Sequence, residues 1–233
     1  MRVRPALVAG AALAAVQVGP AATWLPPLRR VIAASLEGPT PRGSVAVTFD
    51  DGPHPQGTPA VLDALDRLGW QATFFVLGEQ ARRHPEIVRE TARRGHAVAL
   101  HGDSHRYLIG RSPGAAIRDL RRGRDTLTEL LGEAPTWWRP PYGVLSGPSL
   151  LAARSLGLHP VLWSAWGRDW RATATPAGVV EDLLTGRLDG GTLLLHDSDV
   201  VSTPGSWRTT VAALPGLADV LTARGLVARR WDG

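Results

Sequence analysis

From residue 44 onward the chain alternates short apolar runs with longer amphipathic stretches, and this alternation restricts the fold more than any other feature. Runs at 45–49, 72–77, 97–101, 136–139, 160–164, 192–196 and 227–230 read as strands. Helical patterns occupy 59–68, 85–94, 115–131, 148–156, 176–188 and 209–224 between them. Gly69, Gly95, Gly132, Gly157 and Gly225 sit just past helix ends, where a left-handed cap favours glycine. Strands joined through helices pair in parallel, which predicts an α/β sheet with helical crossovers. Polar clusters follow the strands, at the carboxyl edge where barrel folds carry their chemistry.

Residues 44–233 are enough for one such domain, and residues 1–43 read as a separate piece. Arg2 and Arg4 precede an uncharged stretch at 5–25, closed by Pro26, Pro27, Arg29 and Arg30. A basic start before an apolar run resembles an export signal, and its length is near that of a bilayer span. Gly10, Gln17, Gly19 and Pro20 weaken it as a span, so a helix docked on the domain competes with secretion or membrane anchoring.

The chain has no cysteine, which excludes disulfides, thiolate ligands and a cysteine nucleophile. A net charge of +5 raises the question of nucleic acid. The basic residues are all arginine and scattered, with pairs such as Arg82-Arg83 and Arg121-Arg122 in or beside helical patterns. That pattern fits solvated helix faces, and no nucleic-acid partner is expected.

Asp50 and Asp51 stand together at the mouth of the first strand, followed by Gly52, Pro53 and His54. Neighbouring strand residues point to opposite sides, so one acid can hold a metal while the other moves a proton. His101 and His105 lie four apart at the end of an apolar run, a spacing at which one helical turn presents both imidazoles to the same side. Asp51 would complete a two-histidine, one-carboxylate set with open positions. Singly, each piece has a plainer reading: a turn, a loop arginine, a capped strand. His54 reads as a turn residue, and His84, His96 and His159 as surface or helix-boundary residues.

Five segments in order, 48–53, His101 with His105, Arg139-Pro140-Pro141-Tyr142, Asp169-Trp170 and 193–197, resemble the motifs of polysaccharide deacetylases. These are the family 4 carbohydrate esterases with the NodB homology domain. The resemblance implies a distorted (β/α) barrel, seven-stranded by the count above. It implies that Asp51, His101 and His105 bind a divalent metal, zinc before cobalt or nickel. Asp50 would be the general base and Arg139 its anchor. The backbone N–H of Tyr142 would meet the oxyanion, and His196 would be the general acid. Trp170 and Leu194 would wall a pocket for the acetyl methyl group. The implied activity is removal of N-acetyl groups from N-acetylglucosamine units of peptidoglycan or a chitin-like polymer, outside the cytoplasm. Of the clustered tryptophans, Trp138 and Trp163 are expected in the core, with Trp166 and Trp170 approaching substrate.

Two positions depart from the family pattern. Gly102 replaces the usual Ser or Thr after the first histidine, thinning the support of the metal set. Trp166 stands where an Asp usually pairs with the catalytic histidine. Either Asp169 or another carboxylate takes over, or His196 works unassisted. Trp166 also keeps two rivals open: the same metal site acting on O-acetyl esters or a small amide, and a catalytically impaired carbohydrate-binding relative.

Overall fold

The computed structural model describes residues 14–231. Its strands are β1 (Ser44–Asp50), β2 (Thr73–Leu77), β3 (Ala97–Gly102), β4 (Trp137–Trp138), β5 (His159–Pro160), β6 (Ala165–Trp166), β7 (Gly191–His196) and β8 (Val227–Arg229). Every pairing is parallel, and the order is β5-β4-β3-β2-β1-β7-β6 with β8 against β1. The expected strand at 160–164 is interrupted. Short strands on either side of the break, β5 and β6, pair with β4 and β7 at opposite limits of that order. One bent segment therefore carries the sheet back on itself, and counted once it leaves seven strands. β8 takes Ser44–Ala46 of β1, while β2 takes Thr48–Asp50.

β1 is buried along its whole length, as a central parallel strand covered on both faces must be. Phe49 on β1 stacks on Phe74 of β2 with ring centroids 5.1 Å apart. The helices are α1 (Pro26–Ile32), α2 (Gly57–Leu68), α3 (Gly78–Arg83), α4 (Pro85–Arg93), α5 (Pro113–Leu131), α6 (Gly147–Ser155), α7 (Pro176–Leu184) and α8 (Trp207–Ala223). α5 shows how sequence sets an element. Ser112 caps it by accepting from Ala115 N, Pro113 opens it, and Gly132 closes it in the left-handed region. Its buried residues Ala116, Leu120, Gly123 and Leu127 fall on one face at helical spacing.

His96 does lie at a helix boundary, between α4 and β3, but its reading as a surface residue is corrected. It is buried at 3% exposure, its Nδ1 accepts from Ala72 N at 3.1 Å, and burial pushes its pKa down to about 4. Its ring meets Phe74 edge-on at 5.4 Å, a contact across the sheet that helical pattern alone does not reveal. Of the signal-like stretch at 5–25, residues 5–13 lie outside the described residues. Among the described residues, no helix is long and apolar enough to cross a membrane. Residues near α1 instead reach the barrel: Arg29 is buried and donates to Trp163 O at 2.6 Å.

Candidate active site

Asp50 ends β1, and His196, which ends β7, is its register partner. Parallel pairing thus sets a carboxylate and an imidazole side by side at the carboxyl edge, with β3 bringing His101 to the same rim. Asp51 steps out of β1 with a φ of 76°, a region disfavoured for residues other than glycine. The two further non-glycine residues with positive φ among those described are Tyr142 and Arg168, at 59° and 50°. Tyr142 lines a cleft shared with Asp50, Asp51 and His101, and Arg168 precedes Asp169. Such conformations cost about 1–3 kcal/mol each and collect where a site imposes them.

Asp51 Oδ1 lies 3.2 Å from the Nε2 atoms of both His101 and His105. All three ligand atoms fall within 4.8 Å of one another. His101 reaches this position from the end of β3. His105 reaches it from a loop, so the one-turn helix anticipated for this pair does not form. The chain turns at Gly102, whose φ of 118° suits glycine and resists the Ser or Thr that the resemblance would place there. Support comes from Asp119 on α5, which accepts from Asp103 N at 3.1 Å and Ser104 Oγ at 2.9 Å. The loop is therefore steadied from a helix in place of a hydroxyl at position 102.

The donor set suits a divalent cation. A carbonyl only accepts, so His101 Nδ1 carries the proton it shares with Arg139 O at 2.8 Å, leaving Nε2 to face Asp51. Burial drives the His105 pKa down to about 4 against the pull of Asp51, which favours a neutral ring with a lone pair to give. Burial acts to raise the Asp51 carboxyl, but the adjacent His101, His196 and His105 rings hold it at about 2. Asp51 Oδ1 is buried and has no hydrogen-bond donor. Two nitrogens and an ionised oxygen converging without protons to share form a group able to hold such an ion.

Asp50 lies on one flank. Its Oδ1 accepts from Arg139 Nη1 at 2.6 Å, while that guanidinium also donates to Thr48 Oγ1 and Leu162 O and lies 4.0 Å above the Phe75 ring. Arg139 is fully buried, and burial acts to lower its pKa while the Asp50 charge works to raise it. His196 lies on the other flank. Its Nδ1 bonds Asp169 Oδ1 at 2.7 Å, and Asp169 Oδ2 accepts from His196 N and Thr210 Oγ1. Burial works against charge on His196, but the charge and hydrogen bond of Asp169, with Asp51 and Asp50 beyond, raise its pKa to about 10. Of the alternatives for the missing partner carboxylate, Asp169 is the one in contact.

These groups open into a cavity of about 340 Å³. Trp170, Leu194 and Trp166 line it as the sequence suggests. Trp163 also lines it while packing with Leu162 and Leu194, so its assignment wholly to the core is corrected. Trp138 is a core residue at 0% exposure. Tyr142 covers His105 edge-on at 4.4 Å and stacks on Tyr107 at 3.9 Å.

Sequence reasoning missed Tyr107, Thr210, Asp119 and Trp24. Tyr107 follows His105 closely enough to have been a candidate. The other three reach the site from distant segments and carry no local signal. His54 behaves as the turn residue expected: its Nδ1 accepts from Gly57 N at 2.9 Å at the start of α2.

The three histidines and two aspartates gathered at the carboxyl edge of this curled sheet define a carbohydrate deacetylase site, and the chain belongs to the polysaccharide deacetylase family. The family profile matches residues 37–161. A chitooligosaccharide deacetylase of Azorhizobium caulinodans is 33% identical over 191 residues, spanning 79% of this chain and 90% of that one. The solved Bc1960 peptidoglycan N-acetylglucosamine deacetylase superposes with a TM-score of 0.76 at 31% identity, over 83% of this chain and 88% of its own. The family 4 carbohydrate esterase of Streptomyces lividans, solved with acetate, gives a TM-score of 0.71 at 29% identity, covering 80% and 91%.

Proposed function

We propose that this protein is a metal-dependent hydrolase that removes the N-acetyl group from N-acetylglucosamine units of peptidoglycan or a chitin-like oligomer. One observation carries the reading. Asp51 Oδ1 sits 3.2 Å from two imidazole nitrogens, with an arginine-held carboxylate on one side and a carboxylate-held imidazole on the other. The named substrates of similar proteins, chitooligosaccharide and peptidoglycan, support the sugar class. A peptidoglycan substrate places the reaction outside the cytoplasmic membrane.

Asp51, His101 and His105 would hold the ion, with zinc suited to this set and cobalt or nickel also accommodated. A divalent cation there supplies Lewis-acid polarisation of the acyl carbonyl and a water of lowered pKa. Asp50 takes the proton from the attacking water, and Arg139 keeps that carboxylate ionised and aimed. The Tyr142 backbone N–H donates to the oxygen that gains charge. His196 then gives its Nε2 proton to the departing sugar nitrogen as the C–N bond breaks, releasing acetate and a free amine. Asp169 fixes the tautomer by holding Nδ1–H. Trp170, Leu194 and Trp166 form the apolar wall facing the acetyl methyl.

The test is acetate release from acetylated chito-oligosaccharide and from peptidoglycan, before and after chelation, with single metals restored. Loss on chelation, recovery with zinc and a drop of about 10²–10⁴-fold in Asp50→Asn are expected. Undiminished turnover after complete metal removal would falsify the assignment of Asp51, His101 and His105.

A further inference from the structure

The segment before β1 reaches the reaction cleft. Trp24 lines the same cavity as Asp50, Asp51, His101 and His196, although it lies outside the span matched by the family profile. Its indole is 44% exposed, whereas the backbone on either side is fixed. Thr23 is buried. Arg29, 1% exposed, donates to Thr23 O at 2.9 Å and to Trp163 O at 2.6 Å. Its Nε lies 3.4 Å from Glu37, which Arg187 also pairs at 2.8 Å. A buried arginine thus ties the turn bearing Trp24 to the segment between β5 and β6 that bears Trp163, another wall of the cleft. Burying that charge without partners would be costly. A half-exposed indole held this firmly at a cleft mouth is placed to meet something.

From this we infer that Trp24 is a binding residue for a second pyranose ring of the glycan, beside the unit whose acetyl group reacts. The ligand class is a β-linked amino-sugar chain, whose axial C–H faces are apolar and flat enough to lie on an indole. The inference rests on the deacetylase reading for the kind of ligand, but the contact itself is a binding event separable from turnover. Trp24 acts on chain length, and the reacting groups lie elsewhere in the cleft. Covering roughly 50 Å² of indole face corresponds to about a tenfold change in affinity.

The experiment compares the full-length protein with Trp24→Ala and Trp24→Phe. For chito-oligosaccharides of four or more units, Trp24→Ala should raise KM about tenfold with kcat little changed, and Trp24→Phe should recover most of the loss. Hydrolysis of a small aryl acetate, too short to reach Trp24, should be the same in all three. An unchanged KM for the oligomer overturns the inference, as does an equal loss on the aryl ester. Calorimetric titration of the tetramer into Asp50→Asn protein, with and without Trp24→Ala, separates this reading from the proposed reaction. Weaker binding in the double variant sustains the subsite even where wild type releases no acetate. Equal binding, or no binding by either, removes it.

Discussion

Asp169 offers the sharpest perturbation because its three hydrogen bonds dictate what an isosteric amide can do. Oδ2 accepts from two donors, His196 N at 2.7 Å and Thr210 Oγ1 at 2.6 Å. In Asp169→Asn the amide oxygen must stay there, since an NH₂ group would face two donors at a cost of about 1–3 kcal/mol. The new NH₂ then points at His196 Nδ1, 2.7 Å away in the parent. An imidazolium, which also carries hydrogen at Nδ1, is disfavoured in that position. The group that raises the His196 pKa to about 10 becomes one that lowers it. The alkaline limb of the pH–rate profile should therefore move to lower pH. A bound cation displaces that limb in both proteins alike, so the difference is the readout. At neutral pH, kcat for the amide should fall about 10²–10⁴-fold, the range for loss of a general acid. An aryl acetate, whose leaving group needs no proton, should lose far less. Stability has a definite sign as well. A histidine with a raised pKa stabilises the fold fully below its unfolded value of 6.5 and loses that contribution as pH rises through about 10. The melting deficit of the variant should accordingly be largest at mildly acid pH and shrink towards pH 10. An unmoved alkaline limb, or equal losses on amide and ester, would refute the argument.

Two further outcomes follow from the same geometry. Arg139→Met removes the partner of Asp50 from a fully buried position, so denaturant titration should show a loss of about 3–5 kcal/mol. Activity should fall even below the unfolding transition, because the base loses its orientation. Gly143→Ala places a methyl 2.4 Å from the Trp163 ring at a φ of +68°. It should displace that cleft wall and depress kcat/KM at least tenfold, whereas alanine at Gly132, where a Cβ meets nothing within 4 Å, should cost only the left-handed backbone penalty in thermal melts.

Much of the barrel was legible because its central strands β1, β2 and β7 are buried almost throughout, and because glycines close helices such as α2 and α5. The run at 160–164 was misread as continuous for a specific reason. Apolarity at these residues reflects the core and cleft they line, while the bend between β5 and β6 comes from the need to join β4 to β7. The histidine pair was found from spacing although the helical geometry assumed for it was wrong. Two imidazoles can converge through a glycine turn as readily as along a helix, and residue separation does not distinguish them.

Residue order alone determined the parallel α/β class, the acids after the first strand, and the candidate donors Asp51, His101 and His105, because strand ends and side-chain chemistry are local properties. Tertiary structure decided which carboxylate serves His196, what steadies the loop after His101, and that Trp24 faces the cleft. Those contacts join residues 27, 16 and many more positions apart. Such distances close only when the sheet curls, and no local pattern records where they meet.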